Sequence, residues 1–531
     1  MTGTDRSCSK KPTQTSAIYH YLKYQEKQCV SLKYLMFVRI AKNKHLISLT
    51  LMLGLTLGCW SIASPILSAP DAANHIAHVW CSTNLDNDQC EKNTEVAGGY
   101  IIPTPSNFCY PANQFMSAAC ASPTISNQSI STTSYPSLFF RVLNVFVTNN
   151  MNISIILMRL FNSSIFIAFF LIQILLGSEK HRLAYLSANI FTITPYLLFL
   201  IPSVNPSSWA IIGVTNSAFF LISILNNSNS SARVLTLTWF CWFLSSLLCF
   251  ARFDSTVTLI VTNLIVLFSI QGKKIIQKVA TGVLIAICPL IIVTILSNSF
   301  VTFLDTHIFG LRINTVPYNP LGPNFGAWLS SWIMHFWAIP LEAFGSGGLG
   351  WREIPMPQFV IISGIGLLGA VIIFASIQMD LRQIFVHIVS TLFMFVNILV
   401  IANLELDMFN VTGRHIIPIF PFIVGAWVYF SPSPIHFLEI RNARLIAVLL
   451  IAASNSVALY TTIERYVMGW SGGLRIIRIS GLSQWWWSGL PIGPNFVVIM
   501  GSICYLGFLS TAVALVPLKS LDLDGNVTIN H

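Results

Sequence analysis

One short stretch of the sequence carries residue types that can perform acid–base chemistry. Asp71 follows Ser68-Ala69-Pro70, and His75 lies four positions further along. If a helix begins after Pro70, the two side chains share one face and can orient one another. A helix N-terminus also favours a negative charge, so a simple helix cap is the alternative interpretation of Asp71. One carboxylate and one imidazole are too few ligands to indicate a metal site.

Nine arginines lie in or beside the segments that we expect on one side of a membrane. They are Arg141, Arg159, Arg252, Arg312, Arg352, Arg414, Arg465, Arg475 and Arg478. Arginine binds a phosphate through two hydrogen bonds and keeps its charge in a poorly hydrated crevice, where lysine tends to lose its proton. For any single one, an interfacial position in contact with lipid headgroups is the better explanation. As a set, they predict a site for a phosphate-bearing lipid.

Three short connections on the same predicted side are unusually polar. They are Asn205 to Ser208, Arg252 to Asp254 and Gly413 to His415. Ionisable groups at the ends of membrane spans often mark function. Interfacial anchoring explains many of them, and Arg252 and Asp254 can simply pair with each other.

The elements that must position these residues are membrane spans. Of the 531 residues, 54% are hydrophobic and only 9% are charged, against roughly a quarter charged in soluble proteins. This composition excludes a soluble enzyme, a disordered chain and a fibre. About twelve apolar runs are each long enough to cross the bilayer as a helix, which predicts an all-α polytopic bundle. The runs are near 46–66, 153–176, 183–201, 209–225, 234–251, 255–271, 279–297, 358–377, 383–402, 416–430, 445–462 and 497–517.

Charge predicts the orientation of these spans. The first 45 residues contain nine lysines and arginines against two acidic residues, which places them in the cytoplasm by the positive-inside rule. A signal peptide is the competing interpretation of the first apolar run. We predict a basic tail at 1–45, a membrane region at 46–517 and a cytoplasmic tail at 518–531. The large outer loops are then near 67–152, 298–357 and 463–496.

Four cysteines cluster in the first outer loop: Cys81, Cys90, Cys109 and Cys120. Clustering on an oxidising side predicts one or two disulfides, and the sequence does not choose among the three pairings. A zinc site is disfavoured because the spacings contain no C-x-x-C pair.

Two further outer-loop motifs have ordinary explanations. The glycine-rich stretch Gly345–Gly350 does not lie between a strand and a helix, so a hinge fits it better than a phosphate-binding loop. The run Trp485–Trp487 could stack on a sugar ring, although an aromatic belt at the membrane surface is commoner.

Several segments, taken in order, resemble the bacterial DUF2142 family, which looks related to the GT-C membrane glycosyltransferases. The segments are Pro70-Asp71 with His75, Tyr135 to Leu138 with Arg159-Leu160, Thr194-Pro195 leading to Asn205 to Ser207, Gly350 to Pro357, and Gly413 to His415 before Pro418. The resemblance covers about residues 45–517. The family often has Pro-Asp-Glu in the first loop, whereas Ala72 follows Asp71 here, which argues against a two-acid or metal-dependent mechanism.

This resemblance implies a GT-C-like enzyme of the bacterial plasma membrane that works on the outer face. It would transfer a sugar from a polyprenyl-phosphate donor to a cell-envelope glycan or glycolipid. No nucleic acid is expected as a partner, no cofactor is indicated, and the need for a divalent metal is open. Asp71 would be the base, and His75 would orient it or relay its proton. Arg252, Arg352 and Arg414 would hold the donor phosphate. The other substrate-binding candidates are Asn205, Tyr135 and His415.

Two other classes of function stay open. A lipid-linked glycan flippase or secondary transporter should place ionisable groups near the bilayer midplane and show two related halves, and neither is clear in the sequence. A non-catalytic component of an envelope-assembly complex is the third possibility. A nucleotide-sugar donor is disfavoured because no predicted cytoplasmic segment is large enough for a nucleotide-binding domain.

Overall fold

The computed structural model describes residues 44–82, 110, 113–120, 136–226, 231–269, 338–381, 383–385, 387–393, 395, 413–433, 435–469, 485–487, 491–521 and 527–530. These residues are mainly helical. The α-helices are α1 (Lys44–Ile62), α2 (Ala72–Cys81), α3 (Leu138–Asn144), α4 (Met151–Leu176), α5 (Glu179–Thr192), α6 (Pro195–Leu200), α7 (Pro206–Asn226), α8 (Ala232–Cys249), α9 (Phe253–Ser269), α10 (Gln358–Ser376), α11 (Gly413–Ile416), α12 (Phe420–Phe430), α13 (Arg441–Met468) and α14 (Pro494–Ala514). Short 3-10 helices cover Ala118–Cys120, Ile417–Ile419 and Phe437–Glu439.

Eight helical segments in the described part of the chain are long and apolar enough to cross a membrane. They are α1, α4, α7, α8, α10, the stretch Gly413–Phe430 that joins α11 to α12, α13 and α14. The prediction of an all-α polytopic membrane bundle is therefore confirmed. The count of about twelve stays a prediction, and the span expected at 279–297 lies outside the described residues.

Helix α7 forms the centre of the bundle, because 94% of its apolar window is buried, whereas α10 at the periphery buries only 22%. Helices in a bilayer associate through close packing, which small residues at the contact allow. Gly213 of α7 shows this, because a Cβ atom there would lie 2.7 Å from Cys249 Sγ of α8. The central helix and its neighbours form a rigid support for the polar segments at their ends.

The span predicted at 183–201 is two helices, α5 and α6, separated by a break at Ile193–Thr194. Pro195 starts α6, and the Thr194 hydroxyl oxygen accepts a hydrogen bond from the Leu197 N–H at 3.3 Å. The same hydroxyl donates to the Ala343 carbonyl oxygen at 2.8 Å. Proline at a first helical position suits such a restart, because its missing N–H is not needed there.

The polar segments converge at one end of the bundle, which we call the site end. There α1 and α13 finish, and α4, α7, α10, α11 and α14 begin. Contacts between distant segments define it: Asn205 bonds to Pro70, Trp351 to Leu67 and Trp487 to Ile62. The opposite end carries Lys180, whose ammonium lies 5.4 Å from the centre of the Tyr429 ring.

The C-terminal segment, predicted only as a tail, contains a hairpin of β1 (Leu518–Leu521) and β2 (Val527–Asn530). The strands are antiparallel, with Leu518 opposite Asn530. Each strand is only four residues long, and two-stranded hairpins of that size are marginal by themselves.

Candidate functional site

Asp71 lies at the start of α2 with a left-handed backbone, at φ 58°. It is the N-cap residue of α2, but its side chain makes no capping hydrogen bond to the helix. Instead, Arg414 Nη1 donates to Asp71 Oδ2 at 2.7 Å. The Asp71 side chain is 32% exposed and the Arg414 side chain 13%. The structure therefore joins two predicted site residues that are far apart in the sequence, and leaves their ion pair partly accessible.

The charges around Asp71 keep it ionised. Burial by itself would raise the pKa of this carboxyl group, but the charge and hydrogen bond of Arg414, together with the smaller effect of the Arg252 charge, outweigh burial. The net result is a pKa below the ordinary value for aspartate. Such a carboxylate is a weak base while Arg414 remains bound to it, because the neighbouring positive charge favours the ionised form.

His75 follows one helical turn later and is buried, at 1% exposure. Its backbone N–H donates to the Asp71 carbonyl oxygen at 3.0 Å. Burial lowers the pKa of the imidazole to about 3, although the negative charge of Asp71 opposes this shift. His75 is therefore a neutral ring at physiological pH, able to orient a group or pass a proton but not to supply a positive charge.

A chain of hydrogen bonds supports the residue just before Asp71. Arg252 donates from Nε and Nη2 to both carboxylate oxygens of Asp254, at 2.9 and 2.6 Å, and from Nη1 to Ser207 Oγ. The Ser207 N–H donates to Asn205 Oδ1 at 2.8 Å, and Asn205 Nδ2 donates to the Pro70 carbonyl oxygen at 2.8 Å. Asn205 and Arg252 thus position the loop that carries Asp71, and Arg252 is paired with Asp254.

His415 lies next to Arg414 and is also buried, at 5% exposure. It is near enough to Asp254 for their charges to interact. The polar connections at 205–208, 252–254 and 413–415 therefore meet in one cluster around Asp71. We call Asp71, Asn205, Arg252, Asp254 and Arg414 the Asp71 cluster.

Arg352 joins this cluster indirectly. Its Nη2 donates to Glu342 Oε1 at 3.2 Å, and Glu342 Oε2 accepts from the Gly413 N–H at 2.8 Å. The Arg352 side chain is 48% exposed and its backbone is left-handed, at φ 70°. Asp71 and Arg352 are the two non-glycine residues with positive φ in the described ranges. Strain of this kind costs of the order of 1–3 kcal/mol and concentrates at functional sites.

Two of the arginines named from the sequence have a structural role. Arg465, which is fully buried, donates to the carbonyl oxygens of Tyr110, Met116 (2.9 Å) and Glu353 (3.2 Å). Arg159 bonds in the same way to three carbonyls at the end of α1 and in the turn after it, those of Ser61, Ser64 and Pro65, at 2.7–2.8 Å. Their hydrogen bonds hold loop backbones together, and in the described part of the chain neither arginine forms a salt bridge.

Sequence reasoning missed Glu342 and Glu353. Glu353 is buried, and Tyr466 Oη donates to its Oε1 at 2.8 Å. Burial raises the pKa of the Glu353 carboxyl group to about 7, despite the opposing hydrogen bond from Tyr466. The only signal in the sequence was the presence of two acids beside the glycine-rich stretch.

Other predictions concern residues beyond those described. Tyr135, a substrate-binding candidate, lies outside them. The disulfides stay a prediction, because two of the four clustered cysteines, Cys90 and Cys109, lie outside the described residues. Within the described ranges, no group of three or more histidine, cysteine, aspartate or glutamate side chains could hold a metal ion.

Comparison with known proteins identifies a family for the chain. The model of a predicted membrane protein family, DUF2142, matches residues 53–423, which is more than half of the chain and includes the whole Asp71 cluster. Searches of curated proteins and of solved structures each found no match. The chain therefore belongs to the DUF2142 family of predicted membrane proteins.

Proposed function

We propose that the protein is a GT-C-like membrane glycosyltransferase that takes a sugar from a polyprenyl-phosphate donor. The observation that carries this proposal is the partly exposed ion pair between Arg414 and Asp71. A guanidinium that already holds one anion at an accessible position is suited to bind another, such as the lipid phosphate. The carboxylate beside it is suited to take a proton from an acceptor hydroxyl.

Donor binding itself would prepare the base. As the donor phosphate binds Arg414, it competes with Asp71 for the guanidinium hydrogen bonds. Asp71 then loses its strongest stabilising charge, so its pKa rises and the carboxylate becomes a stronger base. The enzyme would thus activate Asp71 only when the donor is in place.

In the transfer step, Asp71 takes the proton of the acceptor hydroxyl, and the acceptor oxygen forms a bond to the anomeric carbon. The bond between that carbon and the phosphate oxygen breaks, and its electron pair leaves with the polyprenyl phosphate. Arg414, assisted by Arg352, stabilises this charge. Arg252 acts by positioning, since its three donor groups already bind Asp254 and Ser207. His75 orients Asp71 or relays its proton as a neutral ring.

Vesicles supplied with a polyprenyl-phosphate sugar test this function. We expect Asp71→Asn to reduce transfer by roughly 10²–10⁴-fold, the usual contribution of a general base. Asparagine tolerates the left-handed backbone, so the variant should still fold. Arg414→Ala should also lose transfer, whereas Arg441→Ala, an exposed arginine at the opposite end, should not. Unchanged transfer by both site variants would refute the assignment, and transport without transfer would favour a flippase.

We further propose that the site end faces the outside of a bacterial plasma membrane, towards a cell-envelope acceptor. The support is that Lys180, Arg182 and Arg233 lie in the first turns of α5 and α8, at the opposite end, which the positive-inside rule assigns to the cytoplasm. A membrane-impermeant maleimide should label Ser137→Cys, near α2, in intact cells, and should not label Arg233→Cys. The reverse pattern would place the site in the cytoplasm.

A further inference from the structure

An apolar groove opens between α10 and α13, with a volume of about 710 Å³. This volume is within the range of sites that take a single small ligand. Phe359, Ile362 and Ile446 form parts of its walls and are 44–66% exposed, so the groove faces the hydrocarbon of the bilayer. Gly366 and Ala370 form a floor of small residues.

The groove offers no polar group to a ligand. Ser363 is the one polar residue in its lining, and the Ser363 hydroxyl donates to the Val360 carbonyl oxygen of its own helix at 3.2 Å. A hydrocarbon chain is therefore the chemistry that the surface fits, because any polar ligand would lose its hydrogen bonds to water without replacement.

The groove reaches the site end of the bundle, because Phe359 of its lining lies in the first turn of α10. Its outer end is formed by the first turn of α10, which begins six residues after Arg352. Phe344 packs against α10 behind the groove, where a Cβ atom on Gly364 would lie 2.6 Å from the Phe344 ring. Phe344 is two residues from Glu342, which bonds to both Arg352 and Gly413. A lipid with its phosphate at Arg414 and Arg352 would thus have its chain beside the start of the groove.

We infer that the groove between α10 and α13 binds the isoprenoid chain of the lipid carrier whose phosphate is held by Arg414 and Arg352. This inference deepens the proposed function and rests on it. The groove admits the chain sideways from the bilayer, so the carrier reaches the site without leaving the membrane. The chain also fixes the direction from which the phosphate approaches the Asp71 cluster.

Photo-cross-linking in vesicles tests this inference with a polyprenyl phosphate that carries a diazirine in its chain. The label should map to α10 and to the first turns of α13. Gly366→Trp should lower that labelling roughly tenfold, since a Cβ atom at Gly366 meets nothing within 4 Å and the indole can fill the groove without a clash. Gly369→Trp is the matched control, because Gly369 is equally open on the same helix but does not line the groove.

The outcomes separate the groove from the proposed function. Labelling outside the groove, together with transfer that still requires Arg414, would overturn the inference and leave the function intact. Equal labelling by a diazirine-bearing phosphatidylethanolamine would also overturn it, because the groove would then hold bulk lipid. The inference is supported if the labelling of the groove decreases in the Gly366→Trp and Arg414→Ala variants and stays at the wild-type level in Gly369→Trp. The transfer assay on Asp71→Asn then tests the proposed function separately.

Discussion

Arg414 and Arg465 lie at the same end of the bundle, but the guanidinium group of Arg414 binds a charged side chain, whereas that of Arg465 binds neutral backbone carbonyls. Arg414 donates to the carboxylate of Asp71, and both side chains are partly exposed. Arg465 is fully buried and donates to backbone carbonyls. An arginine held by three backbone carbonyls cannot release them without disrupting the segments that carry them, whereas Arg414 can exchange one anion for another. The set of arginines on this face therefore combines structural clamps with a candidate binding group.

The carboxylates of the two regions differ in the same way. Arg414 keeps the pKa of Asp71 below its ordinary value, so this acid is charged. Burial raises the pKa of Glu353 to about 7, so that acid is largely neutral below this pH. Four substitutions test whether the difference is real.

The largest effect is expected from Arg465→Ala. Three buried carbonyl oxygens lose their donor, at about 1–3 kcal/mol each, so little folded protein should survive extraction into detergent. Lysine should not rescue it, because one ammonium cannot span carbonyls that a planar guanidinium reaches. Thermal unfolding of the purified protein measures the loss. Arg414→Ala is the comparison and should cost less, about 1–3 kcal/mol, because it leaves one partly buried carboxylate without its donor.

Glu353→Gln should change the pH dependence of stability. The pKa of this group is raised from 4.5 to about 7 in the folded protein, so between these pH values the unfolded chain releases a proton that the folded chain keeps. The wild-type stability should therefore fall as pH rises from 4.5 to about 7, by up to about 1.4 kcal/mol per pH unit, and level off above. Chemical unfolding at a series of pH values should show a shallower slope for the glutamine variant. Parallel slopes would mean that Glu353 is ionised throughout.

Asn205→Ala should have a moderate effect on both properties. It removes the hydrogen bond to the Pro70 carbonyl, at about 1 kcal/mol of stability. It also removes a support of the loop that carries Asp71. The transfer rate should therefore fall, although Arg414 itself is still present to bind the phosphate. Unfolding and transfer assays on the same preparation measure the two effects. Ser164→Ala, at an exposed serine of α4, is the control and should change neither. Full transfer by Asn205→Ala would show that the loop needs no such support.

The smallest change in stability is expected from Arg352→Gly. The variant loses a half-exposed ion pair, worth about 0–1 kcal/mol, and gains a residue that adopts positive φ without strain. Stability should therefore stay within about 1 kcal/mol of wild type, while the KM for the lipid-linked donor rises. Arg352→Ala separates the two contributions, since it loses the ion pair but keeps the strain. An unchanged KM in both variants would remove Arg352 from the phosphate site.

The sequence was sufficient for the class of fold and for the side of the bundle on which polar residues gather. Alternating spans bring every second connection to the same end, so Asp71, Arg252 and Arg414 were expected near one another. The sequence did not predict which group each of these side chains bonds to. Arg414 pairs with Asp71, whereas Arg465 bonds to backbone carbonyls. This difference depends on how helices that are distant in the sequence pack together.

Local chemistry explains two other differences between expectation and structure. The break between α5 and α6 could have been expected from Pro195, because proline cannot continue the preceding helix without losing a hydrogen bond. The buried position of Glu353 could not, because a glutamate in a polar loop is ordinarily solvated. Tertiary packing alone places it beneath Tyr466.

Binding of polyprenyl phosphate, compared with polyprenol, to the purified protein tests the central claim most directly. Native mass spectrometry can measure both without knowledge of the sugar or the acceptor. If Arg414 exchanges Asp71 for a lipid phosphate, the wild-type protein should prefer the phosphate form, Arg414→Ala should abolish that preference, and Arg441→Ala should retain it. Equal binding of the two lipids by the wild-type protein, or a preference that survives Arg414→Ala, would contradict the account.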